Sequence, residues 1–232
     1  MRVIKLSGDL KNSVKDLNGD AIPSMMRKKI FVAASLIFIG VAARLWLYNF
    51  LPSTPHIYIT LAGIKQPLFM MDIFFVVAAI SLIAGRYLGS LFAFLIPLSI
   101  MAITDILIGN TIIFLFTWSG FALLGSIGYL SRKKGVLHFF GYSIAGIIAY
   151  DLWTNFGCWM GWYSHDISGL LLCYALAIPF MLWHLLATMT VLPLFTIPFE
   201  KSMVQREIVS KEAKIATLPT ALLMALSIFT LL

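Results

Sequence analysis

Apolar runs of about twenty residues, separated by short polar joints, recur from residue 30 to the end of the chain. Each is long enough to cross a bilayer as an α-helix, since about 20 residues rising about 1.5 Å each span the hydrocarbon. Barrel strands would instead show alternation over about ten residues. Lipid offers no hydrogen bonds, so each span must satisfy its own backbone, and the expected fold is an all-α integral membrane protein. Only 12% of the residues are charged, against about 25% in soluble domains, which excludes a water-soluble fold.

The joints divide the chain. Residues 1–29 form a basic arm without the apolar core of a signal peptide, so the expectation is a retained N-terminus and an uncleaved first helix. Residues 30–199 carry six spans, expected at 30–50, 67–85, 87–109, 111–130, 136–156 and 168–199. The stretch 51–66, with Pro52 and Pro55, reads as a loop that dips back into the protein. Pro67 suits a first helical turn, and Pro179, Pro193 and Pro198 predict kinks in the sixth span. A charged linker (200–214) and a hydrophobic segment (215–232), long enough for a further span, complete the domain plan.

The formal charge of +7 could indicate nucleic acid, but the cations sit in the joints and form no soluble basic face. They are topology signals. With the N-terminus inside, seven lie in the arm, one at Arg86, three at Arg132, Lys133 and Lys134, and four between Lys201 and Lys214. Fifteen of the 17 Lys and Arg residues are then cytoplasmic. The expected location is the cell membrane, multi-pass, with a cytoplasmic N-terminus.

Ionisable groups inside spans are expensive and need partners or a wet cavity. At about 1.5 Å per residue, Arg44, Asp105 and Asp151 fall at similar heights in the outer third, with Asp72 near the outer start of its helix. Asp151, Asn155 and Trp159 recur every four residues and share one helix face. Trp153, Trp159, Trp162 and Tyr163 crowd the same level, where indoles either anchor at the interface or stack on a planar ligand. His184 lies near mid-membrane. These residues make a candidate substrate pocket, and three carboxylates against one Arg point to a neutral polar or cationic ligand with a ring. The competing reading is a polar network that only holds helices together. Cys158 and Cys173 are expected as free thiols, and no cofactor or metal motif is present.

Two blocks carry a resemblance. AAISLIAGRYLGSLFAFLIPLSIMAITDILIG (78–109), with Pro97, Asp105 and Gly109, is one. TNFGCWMGWYSHDISGLLLCYALAIPF (154–180), with Thr154, Asn155, Phe156, Gly157, Trp159, Gly169, Leu170, Cys173 and Tyr174, is the other. Both resemble a group of small bacterial and archaeal membrane proteins that look like the substrate-binding S components of energy-coupling factor (ECF) transporters. The resemblance implies a six-helix S-component bundle, a ligand site near the outer face covered by the 51–66 loop, and a vitamin-like substrate. It also implies partners: an ECF transmembrane scaffold and two ATPases. S components dock their scaffold through Ala-x-x-x-Ala on the first helix, a pattern that FVAASLIFIGVAAR lacks. Ser81, Gly85, Gly89 and Ala93 do recur every four residues, a spacing that permits close helix contact. They straddle Arg86 and an expected turn, so no continuous ridge is expected from them.

The leading expectation is a micronutrient-binding uptake subunit rather than an enzyme. The alternatives are a structural or assembly subunit, and an intramembrane enzyme using Asp72, Asp105, Asp151 and His184. Against the enzyme stands the lack of HExxH or a serine elbow.

Overall fold

The computed structural model describes residues 24–50, 57–61, 63–68, 76–201 and 217–230. Apart from one β-hairpin these residues are helical. In chain order the elements are α1 (Ser24–Phe50), β1 (Ile57–Leu61), β2 (Ile64–Leu68) and α2 (Val76–Ile83), which runs on as a π-helical turn (Ala84–Leu88). Then come α3 (Ser90–Ile108), α4 (Phe114–Ser131), α5 (Val136–Trp162), α6 (Ile167–Lys201) and α7 (Thr217–Phe229). Five of them, α1, α3, α4, α5 and α6, are long and apolar enough to cross a membrane, the architecture of a multi-pass helical membrane protein. Val76–Leu88 and Pro219–Phe229 are shorter apolar helices.

Helix α4 is the hub, packing against α2 and its π turn, α3, α5 and α7. Glycines let its neighbours approach. A Cβ at Gly125 would strike the Ala93 carbonyl, one at Gly85 the Gly125 carbonyl, and one at Gly128 the Leu82 carbonyl. The small residues at 85 and 93 therefore do meet a single surface, contrary to the expectation of a broken ridge. The π turn and Gly89, at φ 106°, carry the chain from α2 into α3 without leaving α4. The stripe is used inside the chain.

At one end, called here the basic end, Arg86 acts as a clamp. Its Nη1 donates to the carbonyls of Ser131 (2.8 Å) and Lys134 (3.1 Å), and its Nη2 donates to Glu200 at 3.0 Å. The guanidinium lies 4.7 Å from the Phe139 ring centre, and the Tyr87 hydroxyl donates to Glu200 at 2.6 Å. Arg86 thus ties α2, the α4–α5 joint and the end of α6 together, a structural role beyond that of a topology signal.

Several boundaries differ from the sequence reading. The expected 51–66 loop holds an antiparallel hairpin, with Ile57 paired to Leu68 and Leu61 to Ile64 around Gly63 at φ 81°. Pro67 pairs with Tyr58 in β2 and does not open a helix. The second helix, expected at 67–85, is described only from Val76. Helix α5 runs six residues beyond the expected 156, and α6 is unbroken through Pro179, Pro193 and Pro198. The C-terminal segment lies along α4, with Thr220 and Ser126 hydroxyls 3.1 Å apart and those of Ser227 and Ser119 3.2 Å apart. Both cysteines are free. The arm before residue 24 and the linker 202–214 lie outside the described residues.

Candidate functional site

Between the middle of the bundle and the end opposite Arg86 lie four embedded ionisable groups, and they form two pairs. In the first, Arg44 of α1 donates from Nη1 to Asp105 Oδ1 of α3 at 2.5 Å and to the Thr104 hydroxyl. The same nitrogen lies 3.5 Å from Met101 Sδ. Trp118 of α4 donates its indole N–H to the other Asp105 oxygen at 2.7 Å, so both carboxylate oxygens are held. Gly109, at φ 87°, ends α3 and lets α4 turn back close enough for this bond.

In the second pair, Asp151 of α5 meets His184 Nδ1 of α6 at 2.6 Å. Asn155 donates to the Asp151 carbonyl at 2.7 Å, the Cys173 thiol reaches the Asn155 carbonyl at 3.4 Å, and the Tyr174 hydroxyl donates to the Leu152 carbonyl at 2.7 Å. The shared face of Asp151, Asn155 and Trp159 is therefore an α5–α6 seam.

Helix α4 serves as a ruler for height. Trp118 touches Asp105; Ser119 accepts a 2.8 Å hydrogen bond from Trp153, and Gly120 makes room for the Tyr150 ring beside Asp151. Three consecutive residues cover about 3 Å of helix axis, so both pairs lie at one level. They point different ways, because neighbouring residues on a helix differ by about 100°. Trp118 looks toward α3 and Ser119 toward α5 and α7.

The other expected site residues divide between packing and surface. Trp153 is tilted against Phe116 at 4.9 Å and stacked on Phe156 at 6.3 Å, within the α4–α5 contact. Trp159 packs on Phe156 and His165 and donates to the Ser164 carbonyl at 2.9 Å, fastening the α5–α6 turn. Trp162 is 55% exposed, as an interfacial indole would be. Asp72 lies outside the described residues. Sequence reasoning passed over Thr104, Trp118 and Ser119; Trp118, thirteen residues after Asp105 across a Gly-Asn turn, was the available signal.

Outside the spans, Asp166 caps α6. Its Oδ1 accepts from the Gly169 N–H at 2.6 Å and from the hydroxyls of Ser168 and Ser164, which holds the carboxyl below its ordinary range. Gly169 is required here, since a Cβ would run into Ser164.

The arrangement places a guanidinium and an imidazole, each fixed by a buried carboxylate, within one layer of an apolar bundle. The family described as "Family of unknown function (DUF6580)" matches residues 24–210. The chain belongs to DUF6580. The DUF6580 match spans α1 through α6 and both ion pairs, and it ends before α7 begins. No curated protein and no solved structure matches this DUF6580 member.

Proposed function

We propose that the protein is a membrane-embedded solute-binding subunit that captures a small micronutrient, such as a vitamin or precursor, in the layer of the two ion pairs. The observation that carries this reading is that Arg44–Asp105 and Asp151–His184, from four different helices, sit at one height within an otherwise apolar bundle. Charged groups at such depth commonly mark a substrate path. The clustering of Arg86, Arg132, Lys133 and Lys134 at the opposite end supports an outward-facing site under the positive-inside rule, with the N-terminus cytoplasmic. The resemblance to S components of ECF transporters supports a six-helix bundle that moves its ligand by associating with a scaffold and ATPases. The internal use of Gly85 and Ala93 leaves that docking surface to be found elsewhere. Isothermal titration and thermal shift of the purified protein against a vitamin and precursor panel test the reading. Saturable binding of one compound is expected, and no response across the panel overturns it.

A second reading, a structural or assembly subunit, is favoured by one observation: both Asp105 oxygens are satisfied within the chain. Asp151→Leu with Asn155→Leu separates the two. Preserved folding with lost binding supports capture of a solute; lost folding with no ligand supports structure.

A further inference from the structure

Arg44 uses one corner of its guanidinium. Its contacts to Asp105, Thr104 and Met101 all run through Nη1. Among the described residues, Nη2 and Nε have no polar partner, and neither belongs to the buried unpaired atoms. That edge carries two parallel N–H groups, the fork that matches two oxygens of a carboxylate or phosphate. In lipid surroundings such donors demand an acceptor.

The carboxylates cannot compete for it. Asp105 is 5% exposed and held on both oxygens, whereas Arg44 is 28% exposed. In the other pair the Asp151 side chain is 2% exposed and His184 is 16% exposed. Each pair buries its acid and shows its base. A count of charges along the sequence favours a neutral or cationic ligand; the geometry reverses that, because the more exposed member of each pair is the guanidinium or the imidazole.

We propose, resting on the solute-binding reading above, that the Nη2–Nε edge of Arg44 binds an oxyanion, a carboxylate or phosphate borne by the solute. The Asp105, Thr104 and Trp118 contacts hold the guanidinium in place for it. The same chemistry is offered by a lipid headgroup phosphate: Arg44 is six residues, about 9 Å, from the end of α1, within reach of a snorkelling side chain.

The test uses the full chain in nanodiscs of phosphatidylcholine alone or with phosphatidylglycerol. The probes are matched ring-bearing solutes differing only in the anionic group: nicotinate and nicotinamide, biotin and biotinamide, pyridoxal phosphate and pyridoxal. The expected result is binding of one acid on the order of 10- to 100-fold tighter than its neutral twin, as a charge-assisted hydrogen-bond pair supplies. The preference should fall below about threefold in Arg44→Lys, which keeps the charge facing Asp105 but loses the fork. Arg44→Gln with Asp105→Asn, a neutral pair that leaves no buried charge, should lose it as well. A solute bound equally in both forms and indifferent to Arg44→Lys overturns the oxyanion inference and leaves solute binding standing. Stabilisation by phosphatidylglycerol alone, lost in Arg44→Lys, assigns the edge to lipid and sinks the solute reading. No response to either source overturns both.

Discussion

Replacing His184 by Leu removes the imidazole from a carboxylate that is 2% exposed. The cost follows from the burial. With the imidazole protonated, two unit charges about 4 Å apart interact by about 4 kcal/mol at an effective dielectric of about 20. Breaking a buried pair by deleting one partner costs about 3–5 kcal/mol, because the remaining charge has lost its water and its partner. His184 is 16% exposed, so the pair is not fully enclosed by protein, and the lower end, about 3 kcal/mol, is expected for His184→Leu. Asp151→Leu leaves a neutral-capable imidazole at the more accessible position and should cost less. The double Leu variant removes both desolvation costs and should be neutral or stabilising by up to about 4 kcal/mol, as buried pairs replaced by well-packed apolar residues often are. The assay is reversible unfolding in mixed micelles with increasing denaturing detergent, read as a double-mutant cycle. A coupling energy below about 0.5 kcal/mol would show that the α5–α6 seam is held by its apolar contacts and that the pair contributes nothing distinctive.

Gly125→Ala drives a Cβ into the Ala93 carbonyl and should cost about 1–3 kcal/mol despite the better helix propensity of Ala. Gly141→Ala on α5 meets nothing within 4 Å and should be neutral or stabilising by up to about 1 kcal/mol; equal effects from the two in thermal unfolding would refute the close α3–α4 approach. Asp166→Ala should lower the melting temperature at neutral pH, with Asp166→Asn lowering it less. Because the folded carboxyl titrates below its ordinary range, its stabilisation is present above about pH 4 and fades as the pH falls toward the folded value. The gap between wild type and Asp166→Ala should therefore close in acid, and a gap that persists there counts against the capping account. Ending the chain at residue 210 keeps the family-matched region and deletes α7, which covers Ser119 and Ser126 on the hub helix. A lower melting temperature is expected, and an unchanged one would show that α7 is dispensable to the bundle.

What was legible in the sequence was length and height; what was not was direction. Spans can be found because hydrocarbon thickness imposes a residue count, and the height of Arg44, Asp105 and Asp151 follows by counting from the joints. Those heights agree with the ruler of α4, where Trp118, Ser119 and Gly120 meet the neighbours of both pairs. Azimuth depends on which face each helix turns to its neighbours, and in apolar helices of near-uniform hydrophobicity no stripe announces it. Hence three of the four charges expected around one hollow, Arg44, Asp105 and Asp151, divide between two pairs on different sides of α4, the second completed by His184, while Asp72 lies outside the described residues. The same gap hid the hairpin, since β1 and β2 are five residues each, with Pro55 shortly before β1 and Pro67 inside β2 arguing for irregular chain. It also hid the π turn, whose Gly85 reads as a break when it is the point of closest approach to Gly125 of α4. Counting charges overestimates acidity at the site for a related reason: a carboxylate contributes to what a ligand meets only if it is exposed. Here each acid is paired with a base that is the more exposed member of the pair.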